Sequence, residues 1–351
     1  MNLIPILQAM LAAALFGASV PISKLLLGEI DPIPMASFLY LGSGIGLFFF
    51  RFFQGKKHYS NEAKVTKCDV PWIIGAILAG GILAPIVLMF SLKNTPASTA
   101  SLLLNFEGVA TTVIAVVAFK EAVGERIWSA VILITMASIL LSWDSLGQWG
   151  LSIGAVGVIS ACVLWGIDNN FIRHVSAKDP LSIVMIKGLS AGTFSLILSL
   201  VLGYSFPSIG FALRAMILGC FSYGLSIVLF IRAMRELGST RTSALFGTAP
   251  FVGTILSVII FKESLNSLFF LSIPIMIIGT VLLLKEEHGH LHEHKPLVHE
   301  HRHSHDSHHT HPHPKEELPK GGFHSHEHGQ EPIVHEHPHT PDIHHRHVHQ
   351  N

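Results

Sequence analysis

The chain has 351 residues, of which 50% are hydrophobic and 13% charged, with a mean hydropathy of +0.51. Soluble domains carry about a quarter charged residues, so this composition excludes an ordinary soluble domain for most of the length. Lys plus Arg equals Asp plus Glu at 23 each, and that balance leaves no electrostatic footprint for nucleic acid as a partner.

Apolar stretches of about 18 to 24 residues recur, each long enough to cross a bilayer. They predict ten membrane helices, over 3–27, 33–53, 71–91, 97–119, 127–143, 151–173, 180–203, 211–231, 241–261 and 267–284. The first, within MNLIPILQAMLAAALFGASVPISK, lacks the basic start of a secretory signal and is long for one, so it is expected to be retained. Gly, Ala and Ser are frequent inside the spans, where they let helix backbones approach. Cys68, Cys162 and Cys220 lie far apart and read as buried thiols packing as small hydrophobes, since no CxxC pair exists. Pro85, Pro250 and Pro274 fall within spans and predict kinks.

Basic residues set the orientation. With the N-terminus cytoplasmic, the inner loops hold Arg51, Lys56, Lys57, Lys64, Lys67, Lys120, Arg126, Arg173, Lys178, Arg232, Arg235 and Arg241, and the outer loops only Lys93 and Lys262. Both termini are therefore expected on the cytoplasmic side of the cell (plasma or inner) membrane.

The two halves repeat. Residues 91–121 align without a gap onto 233–263, where Ser101, Leu103, Thr112, Val116, Phe119, Lys120 and Glu121 meet Ser243, Leu245, Thr254, Val258, Phe261, Lys262 and Glu263. Upstream, LFG at 15–17 matches LWG at 164–166, Lys24 falls opposite Arg173, and Asp31-Pro32 falls opposite Asp179-Pro180. Each repeat has five spans, an odd number, so the halves lie in opposite orientations. The reading is an all-α integral membrane protein of two inverted five-helix repeats, 1–145 and 146–287, followed by a disordered tail at 288–351. Inverted repeats are a frequent build of secondary transporters, with substrate held near the midplane at the repeat interface.

In this layout, in the paired segments AFKE (118–121) and IFKES (260–264), and in the helix starts at TPAST (95–99) and LGSTRTSAL (237–245), the sequence resembles the drug/metabolite transporter superfamily, specifically its ten-helix EamA-type members. The resemblance covers residues 1 to about 285. It implies secondary transport of a small solute with both termini inside. It does not name the solute, because relatives carry amino acids, nucleotide precursors, sugars and drugs. Two features fall outside the common pattern: Glu107 within LLLNFEGVATT, where the second repeat has Ala249, and the acid within WGIDNNFIR.

A charged side chain at mid-bilayer costs about 3 kcal/mol on insertion scales, so such residues persist where they face a cavity or a partner. Glu107 lies about ten residues from either end of its span, some 15 Å deep at about 1.5 Å per residue. It reads as a substrate-contacting or proton-accepting carboxylate, or else as a structural acid between helices. Asn105 is a polar neighbour, although i and i+2 point to different faces. Asp168, Asn169 and Asn170 interrupt the sixth span, and three successive residues cannot all face one cavity. Asp168 and Lys187 lie at comparable depths in antiparallel neighbours, which makes an ion pair between them geometrically reasonable, whether structural or as a gate. Lys24, Arg173 and Arg214 sit near span ends, where snorkelling accounts for them. Trp165 and Tyr223 lie deeper than an interfacial belt and read as packing or as pathway lining.

The tail holds 22 of the 24 histidines. Its centre, HEHRHSHDSHHTHPHP, offers His299, His301, His303, His305, His308, His309, His311 and His313 as ligands for Zn, Ni, Co or Cu ions. The ten spans, by contrast, hold no histidine pair and no cysteine pair. The expected partners are a small-molecule substrate, the lipid bilayer and metal ions at the tail. No cofactor is required, no nucleic acid is expected, and a homodimer is left open. The leading expectation is a secondary transporter of a small polar solute, a metabolite or amino-acid-like, working by alternating access with proton or gradient coupling. The alternative is a divalent metal transporter or exporter served by the tail. A tethered metal-binding module would not need ten spans, and no nucleophile–base or HExxH arrangement suggests an enzyme.

Overall fold

A computed structural model describes residues 3–54, 65–120, 123–143, 152–175, 178–237, 239–284, 288–293, 297–304, 323–330 and 334–339. Among them, nine helical stretches are long and apolar enough to cross a bilayer: Leu3–Leu26, Pro32–Phe53, Lys67–Lys93, Ala97–Phe119, Glu125–Ser142, Ile153–His174, Pro180–Val201, Ile209–Met234 and Arg241–Phe261. The apolar helix Ser267–Leu284 supplies the tenth of the expected spans. The body is all-α, as composition and hydropathy require. In the tail the described backbone forms two antiparallel strand pairs, His288–Glu293 with Val334–His339 and Leu297–Ser304 with Phe323–Gln330.

The packing has a two-fold pattern. The first span packs on the eighth and ninth, and the sixth packs on the third and fourth. The second packs on the eighth, and the seventh on the third. Second and seventh, fourth and ninth, and fifth and tenth pack on each other. Moving five places along the chain converts each contact into another on this list or, for the last three, into itself.

Several spans are not the unbroken rods that hydropathy suggests. The fourth pauses at Leu104-Asn105 between helices Ala97–Leu103 and Phe106–Phe119. Backbone bonds there span three residues, Asn105 N–H to Leu102 O and Gly108 N–H to Asn105 O, which is the tighter 3-10 geometry. The ninth pauses at Gly247-Thr248, just before Ala249-Pro250 opens its second helix. In both pauses a side chain bonds the carbonyl three residues back: Asn105 Nδ2 to Leu102 O at 2.9 Å, and Thr248 Oγ1 to Leu245 O at 2.7 Å. The third and eighth spans contain π-helical segments, Ile77–Leu83 and Cys220–Leu225. The first of these ends at Ala84-Pro85. Pro274, in contrast, sits inside a continuous helix. The first span breaks at Ala18, between Leu3–Gly17 and Ser19–Leu26, where Pro21 has no N–H to give the Gly17 carbonyl four residues back.

Span ends are tied by polar contacts. The fourth and ninth both stop at a lysine in the left-handed region, Lys120 (φ 58°) and Lys262 (φ 50°). A non-glycine residue there costs about 1–2 kcal/mol. The residue after Lys262 shows what the reversal achieves. Glu263 turns back to cap the fourth span, accepting the N–H groups of Ala97 at 2.7 Å and Ser98 at 3.0 Å and the Ser98 hydroxyl. A carboxylate at a helix N-terminus satisfies donors that hydrocarbon cannot. Its repeat counterpart, Glu121, lies outside the described residues. Lys24 donates to the Thr95 carbonyl near the same end. Arg51 pairs with Asp179 at 3.0 Å and also bonds Ser182, tying the second span to the seventh. Asp69 and Lys178 lie 3.8 Å apart, and Asp31 and Lys93 3.5 Å.

Close helix approach is sharpest at Gly219, where a Cβ would lie 1.9 Å from the Leu39 carbonyl oxygen of the second span. Gly219→Ala is therefore expected to cost about 1–3 kcal/mol by overpacking. A lowered midpoint of thermal unfolding in detergent checks this, with Gly210→Ala, at an open position, as the substitution that leaves the midpoint in place.

Candidate functional site

The polar residues of the body converge where the fourth, sixth and seventh spans meet the second and third. The π-helical segment of the third span starts the arrangement. Its wide turn leaves the Gly80 carbonyl free to accept two side-chain bonds, from Tyr40 Oη at 2.6 Å and from Trp165 Nε1 at 3.1 Å. Gly80 has no side chain, and the space is used: a Cβ there would sit 2.0 Å from Asp168 Oδ2. Asp168, on the sixth span, is 4% exposed and pairs with Lys187 of the seventh. The pairing expected from depth in two antiparallel neighbours is present. Asp168 Oδ1 is buried with no hydrogen-bond partner among the described residues, so the pair satisfies only half of the carboxylate.

Glu107 opens the second helix of the fourth span, directly after the 3-10 turn. Its partner comes from the sixth span. Asn169 Nδ2 donates to Glu107 Oε1 at 2.8 Å and to Thr111 Oγ1 at 3.1 Å. Thr111 lies one turn beyond Glu107 on the same face, and its hydroxyl donates to the Glu107 carbonyl at 2.8 Å. Asn170 turns its Nδ2 to the Thr111 carbonyl at 3.0 Å and to Gly166 O at 2.8 Å, and leaves Oδ1 buried and unpartnered. Glu107 also interacts electrostatically with Asp168, Lys187, Tyr40 and Tyr223. One centre thus gathers Glu107, Asp168, Asn169, Asn170 and Lys187.

Asn105 stands apart from it. Its side chain bonds Leu102 O and accepts from Thr280 Oγ1 of the tenth span at 3.2 Å, so it joins helices rather than the Glu107 group. Tyr40, Thr111 and Gly80 complete the centre without having been picked out from the sequence. Thr111 carried a usable signal, its i+4 spacing from Glu107. Tyr40 and Gly80 carried none, because only the fold brings them beside Asp168. Aromatic rings extend the wall: Tyr40 stacks on Tyr223 with centroids 5.8 Å apart, and Phe16 meets Tyr223 edge-on at 5.8 Å.

Among the described residues no group of three or more His, Cys, Asp or Glu side chains is placed to hold a metal ion. Of the tail ligands expected from sequence, His299, His301 and His303 fall on the strand Leu297–Ser304, opposite His328, His326 and His324 in the backbone register. His305, His308, His309, His311 and His313 lie outside the described residues.

The description "EamA-like transporter family" fits residues 3–143 and, a second time, residues 152–285. The chain belongs to this family. A protein of Methanothermobacter thermautotrophicus (strain Delta H) described as an uncharacterized transporter is 26% identical over 289 residues, covering 78% of this chain and 83% of that protein. A solved structure described only as "Crystal structure of protein" superposes with a TM-score of 0.57 at 14% identity, over 78% of this chain and 94% of the other, and shares the fold. Membership of this family and the helices long enough to span make the chain a multi-pass membrane transporter rather than an enzyme.

Removing one partner of a buried ion pair leaves a lone charge and costs about 3–5 kcal/mol, whereas replacing both by apolar side chains of similar volume is close to neutral. Lys187→Ala is expected to lower the thermal unfolding midpoint sharply, and the joint change Asp168→Leu with Lys187→Met to recover most of it.

Proposed function

We propose that this transporter moves a small polar solute, a metabolite or amino-acid-like molecule, by alternating access with proton or gradient coupling. Glu107, with Asn169, and the Asp168–Lys187 pair, with Asn170, form the centre that binds solute or proton. One observation carries this reading: two carboxylates and a lysine, each inside a span, meet between helices from both repeats, beside a π-helical segment that frees a carbonyl. Charged groups are costly within a bilayer, and the packing of the helices does not require Glu107 to be acidic, since its repeat counterpart is Ala249. The bias of basic residues supports placing both termini on the cytoplasmic side of the cell membrane.

A second reading, transition-metal export, is favoured by the alternating histidines of 299–313 alone. The tail itself is proposed to bind zinc, nickel, cobalt or copper ions on the cytoplasmic side, since alternating imidazoles on one chain can chelate a single ion.

In proteoliposomes loaded with a metabolite mixture and followed by mass spectrometry, the intact protein is expected to exchange at least one small solute. Glu107→Gln should slow that exchange by about tenfold or more, the loss expected when a charge-assisted contact goes. Unchanged exchange would remove Glu107 from the site. Deleting residues 288–351 should leave this exchange intact and abolish zinc and nickel binding measured by calorimetry. Loss of nickel or zinc tolerance in cells carrying the deletion, with solute exchange absent throughout, would favour the metal reading instead.

A further inference from the structure

The fourth and ninth spans run antiparallel, and each is two helices joined by a pause. On the Glu263 side of the pauses the two spans are closed on each other. Ala97–Leu103 packs along Ala249–Phe261, with Ser98 and Ser101 of the one and Thr254 and Ser257 of the other buried. Ser101 Oγ and Ser257 Oγ are 3.4 Å apart, and Thr254 Oγ1 donates to the Ser98 carbonyl at 3.4 Å. The first span closes in as well: a Cβ on Gly253 would lie 2.6 Å from the Gly17 carbonyl oxygen. At the tip, Glu263 of the ninth span's end holds Ala97 and Ser98 of the fourth. Lys24 holds the Thr95 carbonyl beside them and attracts Glu263 electrostatically.

On the other side of the pauses the same two spans part. Among the described residues, Phe106–Phe119 and Ser239–Phe246 show no such packing on each other. Phe106–Phe119 lies on the sixth span, and Ser239–Phe246 on the first and eighth. Phe246 shows where the ninth span has gone, since its ring meets Phe16 at 5.4 Å and Phe230 at 4.9 Å between centroids. The repeat gives this difference its meaning. Residues 91–121 align onto 233–263, so Ser101 corresponds to Ser243 and Ser257 to Ala115. Ser101 is buried against its partner, whereas Ser243 is only partly buried. Two copies of one arrangement thus stand in two states, one closed and one open. Ser243 and Ala115 are the side chains that meet if the open copy closes as its counterpart does, and both are small enough for helices to touch there.

We infer that Glu263 is the latch of one entrance. Its bonds to Ala97 and Ser98 hold the fourth and ninth spans together at that end, and access changes sides when they release and Ser243 closes on Ala115. With both termini cytoplasmic, the latched entrance is the outer one. The inference rests on the reading of this protein as an alternating-access transporter, in which one repeat rocks against the other. Glu263 suits the task because it lies at a span end, where water replaces each hydrogen bond that it loses.

The test uses the full chain in proteoliposomes, with Cys68, Cys162 and Cys220 replaced by alanine. A bifunctional thiol reagent, short enough to join only touching side chains, is added, and bridged peptides are read by mass spectrometry. Ser101→Cys with Ser257→Cys is expected to bridge rapidly, and Ala115→Cys with Ser243→Cys slowly. Glu263→Gln is expected to speed bridging of the second pair by about tenfold or more, as charge-assisted bonds are lost. An unchanged rate in a folded Glu263→Gln protein overturns the inference. A chain carrying all four substitutions needs no latch variant. It is expected to hold one bridge or the other, and both bridges within one molecule overturn the inference, as does a second pair that never bridges. The two proposals fail separately. Solute exchange that runs undiminished after the first pair is bridged overturns the latch and keeps the transport reading. Mutually exclusive bridging in a protein that exchanges no solute keeps the latch and overturns the transport reading.

Discussion

Hydrocarbon offers no hydrogen-bond partner, so a polar group inside these spans needs one from its own helix or from a neighbouring one. That single demand organises the centre of the molecule. Asp168 is tolerated because Lys187 reaches it from the neighbouring helix, and it can reach the third span only because Gly80 presents no side chain. The Gly80 carbonyl, loosened by the π turn, is covered by Tyr40 from one side and Trp165 from the other. The same demand acts at the span ends. Glu263 covers the first donors of the fourth span, and Lys24 covers the Thr95 carbonyl just before it. Left alone in lipid, each of these groups would cost several kcal/mol.

The backbone devices come in pairs, whereas the chemistry does not. Third and eighth spans share a π segment; fourth and ninth share a mid-span pause, a side-chain bond to the carbonyl three residues back, and a left-handed lysine at the end. The pauses hold different residues, Leu104-Asn105 and Gly247-Thr248, so one geometry is supported by two different side chains. Glu107 faces no equivalent, because Ala249 occupies its place in the second repeat and is buried. A symmetric frame thus carries a one-sided charge. Glu107 and Asp168 lie in the fourth and sixth spans, where the second repeat's Ala249 and the first span's Ser19 stand opposite them.

Hydropathy exposes the spans because lipid imposes one rule on about twenty successive residues at once. The Asp168–Lys187 pair was legible for a related reason: a short loop makes two helices antiparallel, and equal distances from that loop mean equal depths. Glu107 gave itself away as a lone acid in an apolar run, but its partner Asn169 did not, since nothing local relates the fourth span to the sixth. Asn105 shows the converse. Proximity in sequence suggested a shared site, and the i to i+2 rotation sent it to Thr280 instead. The pauses and π segments were hidden because a π turn of ILAGGIL has the same hydropathy as an α turn. The partner of Lys24 was hidden for another reason. A lysine near a span end suits the headgroups in any sequence, and only the fold puts a bare carbonyl within its reach.

The π segments also decide where the third span is held. Each closes with a bond across five residues, Ala84 N–H to Ala79 O and Ser226 N–H to Phe221 O. In the third span that bond takes the donor Gly80 O would meet in an α turn, and Pro85, next in line, has no N–H to give. The carbonyl is left for side chains of two other spans, Tyr40 and Trp165, so the third span is pinned to the second and the sixth by its own backbone.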